Sequence, residues 1–186
     1  MGKLNINKTK FDGLYVIESI VNKDERGSFS KVFCENELND IFKEKNIKQV
    51  NHSMTNKKGT VRGMHFQYAP DCEVKIVKCI KGKVFDVVVD IRKGSKTFLQ
   101  IFFIELSQEN KKMIFIPEGF AHGFQTLEDD TELLYFHSTI YKPNNEGALN
   151  IKDPLLNIKW PLDIINLSKR DEEHKYMENS FRGIEI

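Results

Sequence analysis

Two histidines sit beside glycines in stretches that read as strand edges. His65 lies in Val61-Arg62-Gly63-Met64-His65-Phe66-Gln67, and His122 in Pro117-Glu118-Gly119-Phe120-Ala121-His122-Gly123-Phe124. Imidazole titrates near neutral pH, so a histidine in such a place can carry protons or, when neutral, ligate a metal. Metal ligation needs three or four nitrogen, oxygen or sulfur donors brought together. The position two residues after His65 holds Gln67 rather than a second imidazole. One histidine per stretch points instead to general acid/base work.

The elements that must position these residues are strands. Val84, Asp86, Val88 and Asp90 alternate with Phe85, Val87, Val89 and Ile91, so the run has a period of two. Lys75 to Ile80 repeats that period, and Lys81-Gly82 between the two runs reads as a hairpin turn. Phe98 to Leu106, Lys112 to Ile116 and Glu132 to Ser138 add further short strands, separated by the turn-like Lys93-Gly94-Ser95, Gln108-Glu109-Asn110 and Glu128-Asp129-Asp130. Many short strands with close turns predict an all-β sandwich or barrel. Helical spacing is clear only over Glu35 to Glu44, where Leu38, Ile41 and Phe42 share a face; a short helix is expected after Pro161.

Composition narrows the classes further. A chain of 186 residues without repeats, low-complexity tracts or a Pro/Gly/Ser linker is expected to form one unit over 1–186, against about 150 residues per domain. With 28 basic and 27 acidic residues there is no global charge to attract nucleic acid or an anionic membrane surface. Cys34, Cys72 and Cys79 are odd in number and lack metal-ligand spacing, as expected of reduced thiols. No apolar run is long enough to span a bilayer and no signal region is evident, so a soluble cytoplasmic protein is expected.

Setting polar residues onto the strands brings two more candidates forward. Lys75 shares a face with Val77 and Cys79, and Tyr135 shares one with Leu133. If those faces look into a barrel, His65, Lys75, His122 and Tyr135 converge on one pocket. Taken singly, each is more often a core, rim or solvated residue than a catalyst; the joint placement is what points to a site.

In order along the chain stand Asp24-Glu25-Arg26-Gly27-Ser28-Phe29, Gln49-Val50-Asn51-His52-Ser53, Val61 to Gln67, Lys75, Gly82 to Arg92, Pro117 to Phe124 and Asp153 to Pro161. This series resembles the dTDP-4-dehydrorhamnose 3,5-epimerases and related nucleotide-sugar epimerases of the cupin class. The resemblance implies a cupin-like jelly-roll β-barrel of two antiparallel sheets with a few short peripheral helices. It also implies a substrate, a nucleoside diphosphate 4-keto-6-deoxy sugar, whose C3 and C5 hydrogens are acidified by the C4 carbonyl. By the same resemblance His65 is the base, Asp171 its carboxylate partner, Tyr135 the acid on the other face and Lys75 the partner of the enolate oxygen. No metal or other cofactor is implied, since the ammonium and hydrogen-bond donors can carry the charge.

Further positions carry over as substrate contacts. Arg26 and Arg62 match the arginines that hold the diphosphate, a task suited to guanidinium forks, although either could equally be a surface ion pair. Phe29 matches the residue lining the nucleotide base, with Gln49 and Asn51 near it; His122, Tyr141, Glu146 and Arg170 fall at other contacts. A homodimer is implied, in which exchanged N-terminal strands bring Arg26 and Phe29 to the partner's site. The chain departs from the family at Lys31, where many relatives carry Glu, at Phe136-His137 in place of the usual Lys-Thr, and in a shorter stretch from Pro143 to Gly147. Inversion of one carbon only, 3,4-ketoisomerisation, a non-catalytic sugar-binding module and a metal-dependent dioxygenase are the alternative readings.

Overall fold

The computed structural model describes residues 2–186, and strands dominate it. In chain order they are β1 (Leu4–Lys8), β2 (Tyr15–Ser19), β3 (Val21–Asp24), β4 (Gly27–Ser30), β5 (Gln49–Thr55), β6 (Val61–Gln67), β7 (Lys75–Lys81), β8 (Lys83–Asp90), β9 (Ile101–Ser107), β10 (Lys112–Ile116), β11 (Phe120–Thr126), β12 (Thr131–His137) and β13 (Glu146–Ala148). Helix α1 covers Glu35–Phe42 and α2 is one turn, Lys169–Glu172. Six strands form one sheet in the order β1-β2-β10-β7-β12-β5, and five form a second in the order β13-β6-β11-β8-β9. All pairings within both sheets are antiparallel. The two sheets make a jelly-roll barrel of the cupin type, as expected.

The expected hairpin at Lys81-Gly82 does not form. Strands β7 and β8 follow each other directly yet belong to different sheets, and the same holds for β9 and β10 and for β11 and β12. Gly82 is the corner at which the chain changes sheet: its φ is +72°, and a Cβ there would meet Thr131 Oγ1 at 2.6 Å. Period and turn residues mark a reversal but not which partner the next strand takes. Helix α1 stops at Phe42 rather than Glu44, because Lys43 and Glu44 adopt left-handed φ values of 49° and 69°.

Core placement explains the alternation. Val77, Cys79, Ile114 and Leu133 from the six-stranded sheet meet Val84, Val88, Leu106 and Phe124 from the five-stranded one between the layers. The other face of β8 is covered as well, since Val87, Val89 and Ile91 pack under Leu149, Ile151 and Leu156. Outside the six-stranded sheet, α1 sets Leu38 and Phe42 on Ile76, Met113 and Phe115. Strands buried on both faces therefore read as near-continuous apolar runs. Asp86 breaks that rule, as a wholly buried carboxylate on the inward face of β8.

Candidate active site

A cavity of about 870 Å³ opens between the sheets. From the five-stranded sheet, β6 supplies Arg62 and His65 and β11 supplies His122; from the six-stranded sheet, β7 supplies Lys75, β5 supplies Asn51 and β12 supplies Tyr135 and His137. Register does the positioning, because His65 and His122 are cross-strand partners. A bulge between His122 and Phe124 sits beside Gly63 and Gly123. A Cβ on Gly63 would lie 2.5 Å from the Gly123 Cα, so the two strands approach this closely only with glycine at both positions.

His65 Nε2 lies 2.8 Å from Asp171 Oδ1, and Asp171 is 3% exposed. The carboxylate is aimed by α2, whose N-cap Ser168 accepts from the Asp171 N–H, while the Gly63 N–H donates to Oδ2 at 3.5 Å. Burial alone would raise this carboxyl; the hydrogen bond and charge of His65, with Ser168 and Gly63, hold it below the usual carboxylate range. Arg170 also brings a guanidinium nitrogen within 3.2 Å of His65 Nε2. That nitrogen cannot donate to Asp171 and accept from Arg170 at once. The shorter contact to an anion decides the tautomer, with Nε2–H donating to Asp171 and Nδ1 free to accept a proton.

A second imidazole–carboxylate pair joins His122 Nε2 to Asp86 Oδ2 at 2.9 Å. Burial raises the Asp86 carboxyl despite the charge and hydrogen bond of His122, and its Oδ1 has no partner. Tyr135 faces both pairs from the opposite sheet. Its hydroxyl is 3.3 Å from Ser53 Oγ and its ring centroid 6.3 Å from that of His122. Burial drives its phenol well above the ordinary value, so the tyrosine stays protonated and able to donate. Lys75, 8% exposed, pairs with Glu73 at 2.9 Å. At the mouth, Glu146 accepts from Tyr141 Oη at 2.8 Å and pairs with Arg170 at 2.8 Å.

His65, Asp171 and His174 are the one group among the described residues whose donor atoms lie close enough to share a metal ion, all within 4.8 Å. The Arg170 guanidinium at the His65 ring adds positive charge where such an ion would sit, which opposes metal binding.

Ten of the thirteen residues singled out in the sequence line this cavity: His65, Lys75, Tyr135, Asp171, Asn51, Arg62, His122, Tyr141, Glu146 and Arg170. Three do not. Gln49 turns aside, its amide bonding Asn51 and accepting from the Tyr141 N–H. Arg26 and Phe29 lie on the β3–β4 hairpin away from the cavity; the Arg26 side chain is 85% exposed and pairs only with Asp24, and Phe29 is 58% exposed. Lys31 is taken up by an ion pair with Glu37. Sequence reasoning passed over Asp86, Glu73 and His137 as site residues. Asp86 carried a signal, an acid between Val84 and Val88 on the inward face of β8. Glu73 was passed over because it precedes β7 and its link to His137 spans 64 residues, although its other partner, Lys75, is only two residues on.

A jelly-roll barrel whose cavity sets paired imidazoles on one sheet against a buried phenol and a lysine on the other is an acid/base site of the isomerase kind. Residues 8–179 match the family model for dTDP-4-dehydrorhamnose 3,5-epimerase. The enzyme of that name from Shigella flexneri is 40% identical over 169 residues, which is 90% of this chain and 93% of that one. A solved dTDP-6-deoxy-D-glucose-3,5-epimerase from Legionella pneumophila, in complex with dTDP-4-keto-L-rhamnose, superposes with a TM-score of 0.88 at 38% identity, covering 94% of this chain and 93% of that one. A 3'-monoepimerase from Streptomyces bikiniensis, in complex with dTDP-quinovose, superposes at 0.85 with 31% identity, covering 91% and 86%. The chain belongs to the dTDP-4-dehydrorhamnose 3,5-epimerase family.

Proposed function

We propose that the protein inverts C3 and C5 of a dTDP-linked 4-keto-6-deoxyhexose, converting dTDP-4-dehydro-6-deoxyglucose to dTDP-4-dehydrorhamnose. The carrying observation is that the His65–Asp171 pair and the buried Tyr135 hydroxyl stand on opposite sheets of one cavity. His65 Nδ1 removes the proton beside the carbonyl, and Asp171 stabilises the imidazolium that forms. Lys75 neutralises the oxygen at C4 as the enolate develops. Tyr135 returns a proton to the other face, which inverts the carbon. No step calls on a metal or other cofactor. Arg62, Asn51, His122, Tyr141, Glu146 and Arg170 hold the substrate. The test is incubation with 4-keto-6-deoxyhexoses linked to dTDP, UDP, GDP and CDP, reading product configuration from proton coupling constants. Inversion at both carbons with at least tenfold preference for dTDP is expected. Inversion at one carbon would establish a mono-epimerase, and none with any nucleotide would refute the reading.

The whole chain acts as one unit and assembles as a cytoplasmic homodimer. Support comes from the β3–β4 hairpin, whose Arg26 and Phe29 are exposed and unused in their own subunit. Val50 and Met54 on edge strand β5 are also exposed, at 54% and 56%. In the dimer Arg26 and Phe29 complete the partner's nucleotide site, with Gln49 near the base. Light scattering at micromolar concentration tests this; a monomer at saturating activity would refute it. Among the described residues no helix is long and apolar enough to cross a membrane.

A further inference from the structure

Two cavity-side residues have no part in the proton transfers above. Glu73 lies just before β7, and His137 ends β12 in register with Lys75. Glu73 Oε1 accepts from Lys75 Nζ at 2.9 Å, and Oε2 accepts from His137 Nδ1 at 2.7 Å. All three side chains are nearly buried, at 10% exposure for Lys75 and Glu73 and 13% for His137. Burial would raise the carboxyl of Glu73, but Lys75 and His137 hold it at about 2, so it is an anion across the working range.

An anion at Nδ1 fixes a proton there, and in that tautomer Nε2 is the acceptor edge of the ring. Nε2 lies 3.3 Å from Asn51 Nδ2, and the ring stacks on Tyr135 with centroids 6.1 Å apart and planes 19° from parallel. Thus a third imidazole–carboxylate pair borders both the lysine and the tyrosine.

We propose that Glu73 and His137 form a positioning and recognition pair: Glu73 anchors the Lys75 ammonium, and His137 exchanges the Asn51 amide at Nε2 for the sugar hydroxyl on the carbon beside the carbonyl. The inference rests on Lys75 being the partner of the C4 oxygen. The residue in register with Lys75 then meets the substituent next to that oxygen, which at C3 is a hydroxyl and at C5 a methyl group. The pair therefore acts on C3 chemistry more than on C5 chemistry. A site built to bond a hydroxyl loses discrimination when its acceptor is removed.

The test follows C3 and C5 proton loss from dTDP-4-keto-6-deoxyglucose in D₂O for wild type, His137→Phe, Glu73→Gln, His65→Ala and Lys75→Ala. His137→Phe keeps the ring and its stack on Tyr135. It is expected to raise KM about tenfold and to slow exchange at C3 at least fivefold relative to C5. Glu73→Gln is expected to lower kcat about 10- to 100-fold with KM changed less than threefold, and Glu73→Asp to recover part of that loss. A His137→Phe enzyme with the wild-type C3-to-C5 ratio and KM overturns the proposal, whether or not Glu73→Gln folds. Lys75→Ala with wild-type rates would instead overturn the reading of the lysine on which it rests.

Discussion

Replacing Asp171 with Asn separates the charge of the His65 partner from its shape. The two side chains are isosteric, and the N–H that Ser168 Oγ caps is the backbone N–H of residue 171, which Asn retains, so α2 keeps its place. Two things change. First, the charge-assisted bond at 2.8 Å to the imidazolium is lost, worth roughly 1.5–3 kcal/mol. At 1.36 kcal/mol per tenfold, that is about one to two orders of magnitude in rate. Second, the Gly63 N–H still requires an acceptor, which directs the amide oxygen to Gly63 and the NH₂ group to His65. Nε2 must then accept, the ring proton moves to Nδ1, and the nitrogen meant to take the substrate proton is already occupied. Together these set a fall of about 10²- to 10⁴-fold in the exchange rate, with dTDP affinity by calorimetry within threefold of wild type. A fall below fivefold at saturating substrate would refute the role assigned to the dyad.

Other perturbations have equally definite outcomes. Tyr135→Phe removes the proton donor but not the base, so NMR in D₂O should record continued exchange while inversion falls about a hundredfold. Equal loss of both would mean that the tyrosine is not the returning acid. Glu73, whose folded pKa of about 2 lies below its ordinary 4.5, contributes about 3 kcal/mol above pH 4.5, and this is lost as pH falls toward 2. Urea unfolding from pH 7 to pH 3 should reveal about 2 kcal/mol of that loss in wild type and a flatter profile in Glu73→Gln. Gly63→Ala, with φ at +137° and its Cβ 2.5 Å from Gly123 Cα, should destabilise the fold by about 3 kcal/mol or more. A Tm within two degrees of wild type would contradict the close approach of β6 and β11.

What the sequence reveals follows the range of the interactions. The inward and outward sets of β7 and β8 are readable from period two alone, and so were Lys75 and Tyr135 on cavity faces. Strand partnership is not local, which is why Lys81-Gly82 reads as a hairpin although it is a corner between sheets. Asp171 was reached only through family resemblance, because its link to His65 spans 106 residues. Arg26 and Phe29 mark the other limit, since in one subunit they are exposed surface residues and only the proposed dimer would give them a site.

The most direct test is proton NMR in D₂O with the purified protein and dTDP-4-keto-6-deoxyglucose, beside a His65→Ala control. The expected result is loss of both the C3 and C5 proton signals in the wild type, abolished in the variant. Undiminished exchange in His65→Ala, or no exchange at either carbon in the wild type, would contradict the account.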